Sequence, residues 1–210
     1  MFTSKTRRHA LEYAFEMACS NIKYGRGATK EVGFDLKNLG AKRVFLVTDP
    51  VLSKLPPVIK AREALEAAGV EYHFYDQTRV EPTDKSFKHA IEACKSYAPD
   101  AILAVGGGSS MDTAKAANLY YCHPEADFFD FVNAPIGKAK PVLKELLPLV
   151  CVTTTAGTGS EVTGITIFDH TEIGAKTGIG SRMLKPTLGI IDPDHLQHAP
   201  KNVRAYMWFR

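Results

Sequence analysis

The sequence has few of the features that would place it outside ordinary globular proteins. Its cysteines, Cys19, Cys94, Cys122 and Cys151, are scattered, and no C-x-x-C pair occurs. They read as reduced, intracellular thiols used as small hydrophobes, with Cys94 and Cys151 in apolar, buried segments. No apolar run approaches the roughly 20 residues of a spanning helix. No Lys/Arg run interleaved with aromatics points to nucleic acid. His9, His73, His89, His123 and His170 show no metal-ligand spacing. Internal repeats and low-complexity tracts are absent. The net charge is only +3, with both signs mixed along the chain. What remains is a 210-residue chain, 45% hydrophobic and 23% charged, enough for a sizeable core in one large domain, or in one domain and part of another.

The most informative stretch is Gly106-Gly107-Gly108-Ser109-Ser110-Met111-Asp112-Thr113-Ala114-Lys115. An apolar run, residues 101–105, precedes it, and an apolar-periodic segment, residues 113–121, follows. The order reads strand, glycine turn, helix. Glycines strip the turn of Cβ atoms and let a ligand approach the backbone. The first-turn N–H groups of a helix lack internal partners and carry partial positive charge, which a phosphate or pyrophosphate satisfies. Tight strand-to-helix packing is the other reading of the same glycines.

Around this turn, helices are expected at 28–39, 57–68 and 84–97. Strands are expected at 43–48, 72–75, 101–105 and 148–152. Strands alternating with helices of this length imply an α/β fold with a parallel sheet covered on both faces. Ligands of such sheets sit beyond the carboxyl ends of the strands, where Asp49, Gly106–Ser109 and residues 153–155 all fall. After about residue 164 the pattern changes to an antiparallel hairpin, 164–168 with 176–180, and a last strand at 188–191. Asp49 can accept hydrogen bonds from an adenosine ribose and repel a 2′-phosphate, favouring NAD over NADP; it fits equally as a turn cap before Pro50. The cluster Thr153-Thr154-Thr155-Ala156-Gly157-Thr158-Gly159-Ser160-Glu161 suits a wall against a nucleotide. Thr158 with Glu161 also fits a capping box at a helix start.

These two motifs in this order resemble the iron-containing (group III) alcohol dehydrogenases. Residues 13–18, 80–84, 134–138, 178–182 and 185–189 are similar to the branch of that family that moves hydride between a hydroxyacid and an oxoacid. The resemblance covers roughly residues 13–200. It implies a Rossmann-like, NAD-binding α/β domain of the dehydroquinate synthase-like fold, followed in the family by an all-helical domain holding a divalent metal, iron. The implied reaction takes 4-hydroxybutyrate and 2-oxoglutarate to succinate semialdehyde and 2-hydroxyglutarate, in the mitochondrion; a cytoplasmic place is the alternative. The basic residues of 1–11 are loosely like an organelle transit segment.

Carried over by position, the resemblance assigns Asp49 to the adenosine ribose and Gly106, Gly107, Gly108 and Ser109 to the pyrophosphate, with Asp112 near the helix start. It assigns Thr154, Thr155, Thr158 and Thr163 to the adenine and ribose side. Lys176 and Leu188 would approach from the hairpin. Thr153 stands where the family usually has proline, which would loosen the turn. None of the family's metal ligands has a counterpart, and residues 201–210 depart from the expected continuation. Asp194, His195 and His198 read as a solvated helix start rather than a metal site. The expected organisation is a tail over 1–20, the NAD domain over 21–191, and a stub of the helical domain over 192–210. The expected behaviour is NAD binding without iron and without turnover by the chain alone. Small hydroxyacid and oxoacid partners come with the family, nucleic acid and membrane do not, and an exposed apolar surface favours self-association. A non-catalytic NAD-binding fragment, or an iron-type alcohol dehydrogenase of other substrate, is the competing reading. A flavodoxin-like or sugar-phosphate module would explain only the glycine turn.

Overall fold

The computed structural model describes residues 20–199. Residues 1–19 of the expected tail, with His9 and Cys19, and residues 200–210 lie outside the described residues, as does the side chain of His198.

Six strands form one parallel sheet: β1 (Ile22–Tyr24), β2 (Arg43–Val47), β3 (Glu71–Tyr75), β4 (Ala101–Gly106), β5 (Leu149–Thr153) and, after the hairpin, β8 (Leu188–Ile191). Their order is β1-β8-β5-β4-β2-β3. The hairpin pairs β6 (Ile165–His170) with β7 (Ala175–Gly180), antiparallel. The helices are α1 (Val32–Asn38), α2 (Pro56–Ala68), α3 (Asp84–Tyr97) and α4 (Gly108–Cys122).

Alternation along the strands builds two cores. Val44 and Leu46 of β2 join Leu103, Val105, Val150 and Val152 on one face, against Val32, Leu36, Val58 and Leu65 of α1 and α2. Phe45 and Val47 join Ile102, Ala104 and Cys151 on the other, against Ala90 and Cys94 of α3 and Met111, Ala114 and Ala117 of α4. A third cluster of Phe87, Leu119, Tyr120, Phe131, Phe168 and Ile179 packs the hairpin and the 123–148 loop onto the outside of α3 and α4. Helix α4 is therefore enclosed on several sides, and 10 of its 15 residues are buried.

Local chemistry sets the ends. Helix α2 starts on Pro56-Pro57 and stops at Gly69 with φ 69°. Helix α3 carries a reciprocal cap: Thr83 Oγ1 accepts from the Ser86 N–H, and Ser86 Oγ accepts from the Thr83 N–H. The helix expected at 28–39 is divided into a short 3₁₀ turn, Ala28–Glu31, and α1. Strand β1 was not foreseen from the sequence.

The expected boundary after residue 191 does not coincide with a break in packing. The Asp192 carboxylate accepts from the N–H groups of Gly27, Thr29 and Asp194. His195 is 1% exposed, its Nε2 2.5 Å from Thr29 Oγ1. The reading of Asp194 and His195 as a solvated helix start is thus corrected: His195 is a buried member of the α/β unit, in a 3₁₀ helix, Pro193–His198. Among the described residues no helix is long and apolar enough to cross a membrane.

Candidate functional site

Strand order reverses direction between β2 and β4. From β2 the chain moves outward to β3; from β4 it moves the other way, to β5 and then β8. A crevice opens beyond the carboxyl ends of the strands at such a point. Asp49 follows β2 there, and the glycine turn follows β4.

Each glycine of the turn answers to a different neighbour. A Cβ on Gly106 would overlap the side chain of Ser110, so this position serves strand-to-helix packing. A Cβ on Gly107 would sit 3.2 Å from Thr155 Cγ2, and one on Gly108 would sit 3.2 Å from Ser160 Oγ and 3.6 Å from Thr158 Cγ2. The turn and the threonine cluster thus face each other. The backbone joins them too, since the Thr154 N–H donates to the Gly106 carbonyl at 3.0 Å. Unlike α3, α4 has no side-chain cap at its N-terminus. Gly107, Gly108 and Ser109 stay partly open to solvent. Thr155 Oγ1 is buried with no hydrogen-bond partner among the described residues.

Asp49 Oδ1 accepts from the N–H groups of Val51 and Leu52, both at 2.9 Å. Among the described residues its Oδ2 takes no hydrogen bond, so a turn cap and a ribose contact are compatible. Ser109 Oγ accepts from the Glu81 N–H at 3.3 Å, which brings the 80–83 loop to the same mouth. Asp112 reaches the hairpin: its Oδ2 accepts from the Ile167 N–H and its carbonyl from Thr166 Oγ1. Burial pushes the Asp112 carboxyl up to about 6, against the opposing pull of Lys115 and the Ile167 N–H.

Several expectations change. Thr153 does not loosen its turn: its hydroxyl donates to the Thr155 carbonyl at 2.7 Å and accepts from the Thr155 N–H, closing it. Thr158 does not start a helix. Gly157 and Gly159 hold φ of 108° and 63°, which interrupts any helix, and Thr158 Oγ1 accepts instead from the Ser160 N–H. Leu188 is the first residue of β8, paired with Val150, while Thr153 pairs with Ile191. It therefore lies at the amino end of the sheet, about 10 Å of strand from the crevice, and packs against the α1–α2 core. No hydrogen bond among the described residues ties Thr163 to the turn. Lys176 stands exposed on β7, 3.7 Å from Asp169 of β6, and Asp169 hydrogen-bonds the 80–83 loop through its N–H to Pro82.

The side chains that sequence reasoning left without a role are Lys115 and Ser160. Lys115 is fully buried, and its ammonium donates to the Ser160 carbonyl at 2.8 Å and the Ile165 carbonyl at 2.9 Å. Burial pushes its pKa down. A lysine among Ala114, Ala116 and Ala117 was the available signal. Among the described residues no group of three or more His, Cys, Asp or Glu side chains is placed to hold a metal ion.

Comparison with known proteins agrees with this geometry. The chain is 59% identical over 198 residues to the mitochondrial hydroxyacid-oxoacid transhydrogenase of Rattus norvegicus, and also to that of Homo sapiens. The match covers 94% of this chain and 42% of each relative, so the chain spans about two fifths of their length. Among solved structures, the NADH-dependent butanol dehydrogenase A of Thermotoga maritima superposes with a TM-score of 0.83 at 28% identity, covering 94% of this chain and 48% of that one. The family model for iron-containing alcohol dehydrogenase matches residues 19–193. An open glycine turn at the switch point of a parallel sheet, faced by a threonine wall and matched along nearly the whole described chain, makes this protein a member of the iron-containing alcohol dehydrogenase family.

Proposed function

We propose that this chain is the NAD-binding part of a mitochondrial oxidoreductase that moves hydride from a hydroxyacid to an oxoacid, with 4-hydroxybutyrate and 2-oxoglutarate as the pair. The observation that carries the cofactor reading is the cradle itself. Backbone at Gly107 and Gly108 faces Thr155, Thr158 and Ser160 across a gap that a Cβ would fill, beside the uncapped start of α4. A pyrophosphate there meets free N–H groups and the positive end of the helix. Thr155 Oγ1, buried and unpartnered among the described residues, is a hydroxyl in need of a ligand atom. Asp49 across the crevice offers Oδ2 to a ribose and would repel a 2′-phosphate. Ser109, Thr154, Thr158 and Asp112 complete the proposed set, with Thr163 and Lys176 as its outlying members. The substrate pair and the compartment are supported by the identity to the rat and human transhydrogenases.

NAD, when bound, supplies the carbon that accepts hydride from the alcohol and later returns it. The residues described here bind and orient that group. They offer no ligand set for iron, so no step is assigned to a metal on these side chains. Ile165 and Ile167 project from one face of β6 about half exposed, at 49% and 45%; these exposed apolar side chains support the expected self-association of the isolated chain.

Isotope transfer in cells that normally make this chain tests the reaction. Deuterium at C4 of 4-hydroxybutyrate should appear at C2 of 2-hydroxyglutarate, and disruption of the gene should abolish the transfer. Undiminished transfer after disruption would contradict the assignment.

A further inference from the structure

Helix α4 is stitched along one face to the chain that follows the threonine cluster. Asp112 and Lys115 are three residues apart and so share a helix face. Asp112 takes the hydrogen bonds of Thr166 and Ile167, while Lys115 gives its own to Ser160 and Ile165. The two carbonyls held by Lys115 mark the two ends of the 160–165 segment. A single ammonium therefore fixes where the threonine loop ends and where the hairpin begins. Its neighbours of opposite or potential charge are Asp112, Glu161 and Cys151. Glu161 runs across β8, its Cγ 3.4 Å from where a Cβ on Gly189 would lie. Removing a cation wholly from water is costly unless its donors are satisfied. An aliphatic side chain would fill the same space among alanines without that cost. The charge is spent on two backbone carbonyls of the loop that faces the glycine turn.

We propose that Lys115 is a positioning residue: its ammonium holds the Thr158–Ser160 wall at the distance from Gly107 and Gly108 that grips the cofactor. This rests on the cofactor reading above, although the clamp itself is a property of the free chain. Ser160 lies 3.2 Å from the space above Gly108 and is the residue whose carbonyl Lys115 holds. When the clamp is lost, the wall moves and the helix start stays, because Gly106 and Ser110 pack independently of it.

Lys115→Met provides the test, with hydrogen–deuterium exchange and NAD titration on the same samples. Exchange should rise at least ten-fold across residues 158–166 and stay unchanged in β2, β4 and α2. NAD affinity should fall at least ten-fold. In a double-mutant cycle, Thr158→Ala should weaken NAD binding in the wild type and add almost nothing in the Lys115→Met background. Additive losses, or exchange that rises evenly through the molecule, would mean a general structural role and overturn the proposal. So would unchanged exchange over 158–166. If Lys115→Met does not fold, Lys115→Gln, which keeps a neutral donor, is measured instead against the same criteria. Wild-type protein that shows the protected loop but binds no NAD would defeat the cofactor reading and leave the clamp standing. Loss of protection in Lys115→Met with full NAD affinity would show the clamp but overturn its role in positioning the cofactor wall.

Discussion

Asp112 shows how much of the site turns on single side chains. It lies in the second turn of α4, where Lys115 and the Ile167 N–H favour the carboxylate, yet burial raises its value to about 6. The sign of the consequence follows from that direction. The folded chain holds this proton more tightly than the unfolded chain does. Stability from this residue is therefore greatest below about pH 4 and declines as pH rises towards 6. Asp112→Asn keeps an oxygen for the Ile167 N–H and removes the charge. Its stability relative to wild type should rise across the same window, to a gain of about 3 kcal/mol at pH 7. Thermal melts at pH 4.5 and 7.5 check this, and a difference that shrinks with rising pH would contradict it. The burial of Asp112 was not legible in the sequence, and that of Lys115 was signalled only by the alanines around it. Which helix face meets the hairpin depends on a segment some 50 residues later in the chain.

At the scale of elements, the sequence carried most of the plan. The apolar runs of β2 and β4, alternating along the chain with helices, announced a sheet covered on both faces. The start at Pro57, the stop at Gly69 and the run Pro82-Thr83-Asp84 placed α2 and α3 almost to the residue. Failures came where local chemistry is ambiguous or pairing is remote. Strand β1 is three residues long, shows no buried stripe, and exists because Ile22–Tyr24 pair with Gly189–Ile191 at the other end of the chain. The pattern Thr158-x-x-Glu161 fits a helix cap as well as a turn, and the two positive-φ glycines decide for the turn. Leu188 was placed near the cofactor, but strand direction carries the first residue of β8 to the opposite end of the sheet. Gly33 shows the opposite kind of constraint, one of contact. A Cβ there would overlap the Ala64 carbonyl, so α1 rides directly on the backbone of α2. Gly33→Ala should lower stability by about 1–3 kcal/mol, read from the urea midpoint, with NAD binding by the folded fraction unchanged. An unshifted midpoint would mean that the helices are not in that contact.

For the whole molecule, the two motifs converge because the sheet brings them to one edge. Asp49 follows β2, Gly106 ends β4 and Thr153 ends β5, and these are adjacent strands of one parallel sheet. That convergence was legible in advance, since strand–helix alternation fixes the carboxyl ends on one side. What was not legible is the division of labour among the glycines, one for packing and two for the crevice. The most direct measurement is calorimetric titration of the 210-residue chain with NAD and with NADP, alongside Gly107→Val and Asp49→Ala. The account predicts saturable NAD binding, at least ten-fold weaker NADP binding, loss of NAD binding in Gly107→Val, and lost discrimination in Asp49→Ala. Folded wild-type protein that takes up neither nucleotide, or a Gly107→Val variant that binds NAD as wild type does, would contradict it.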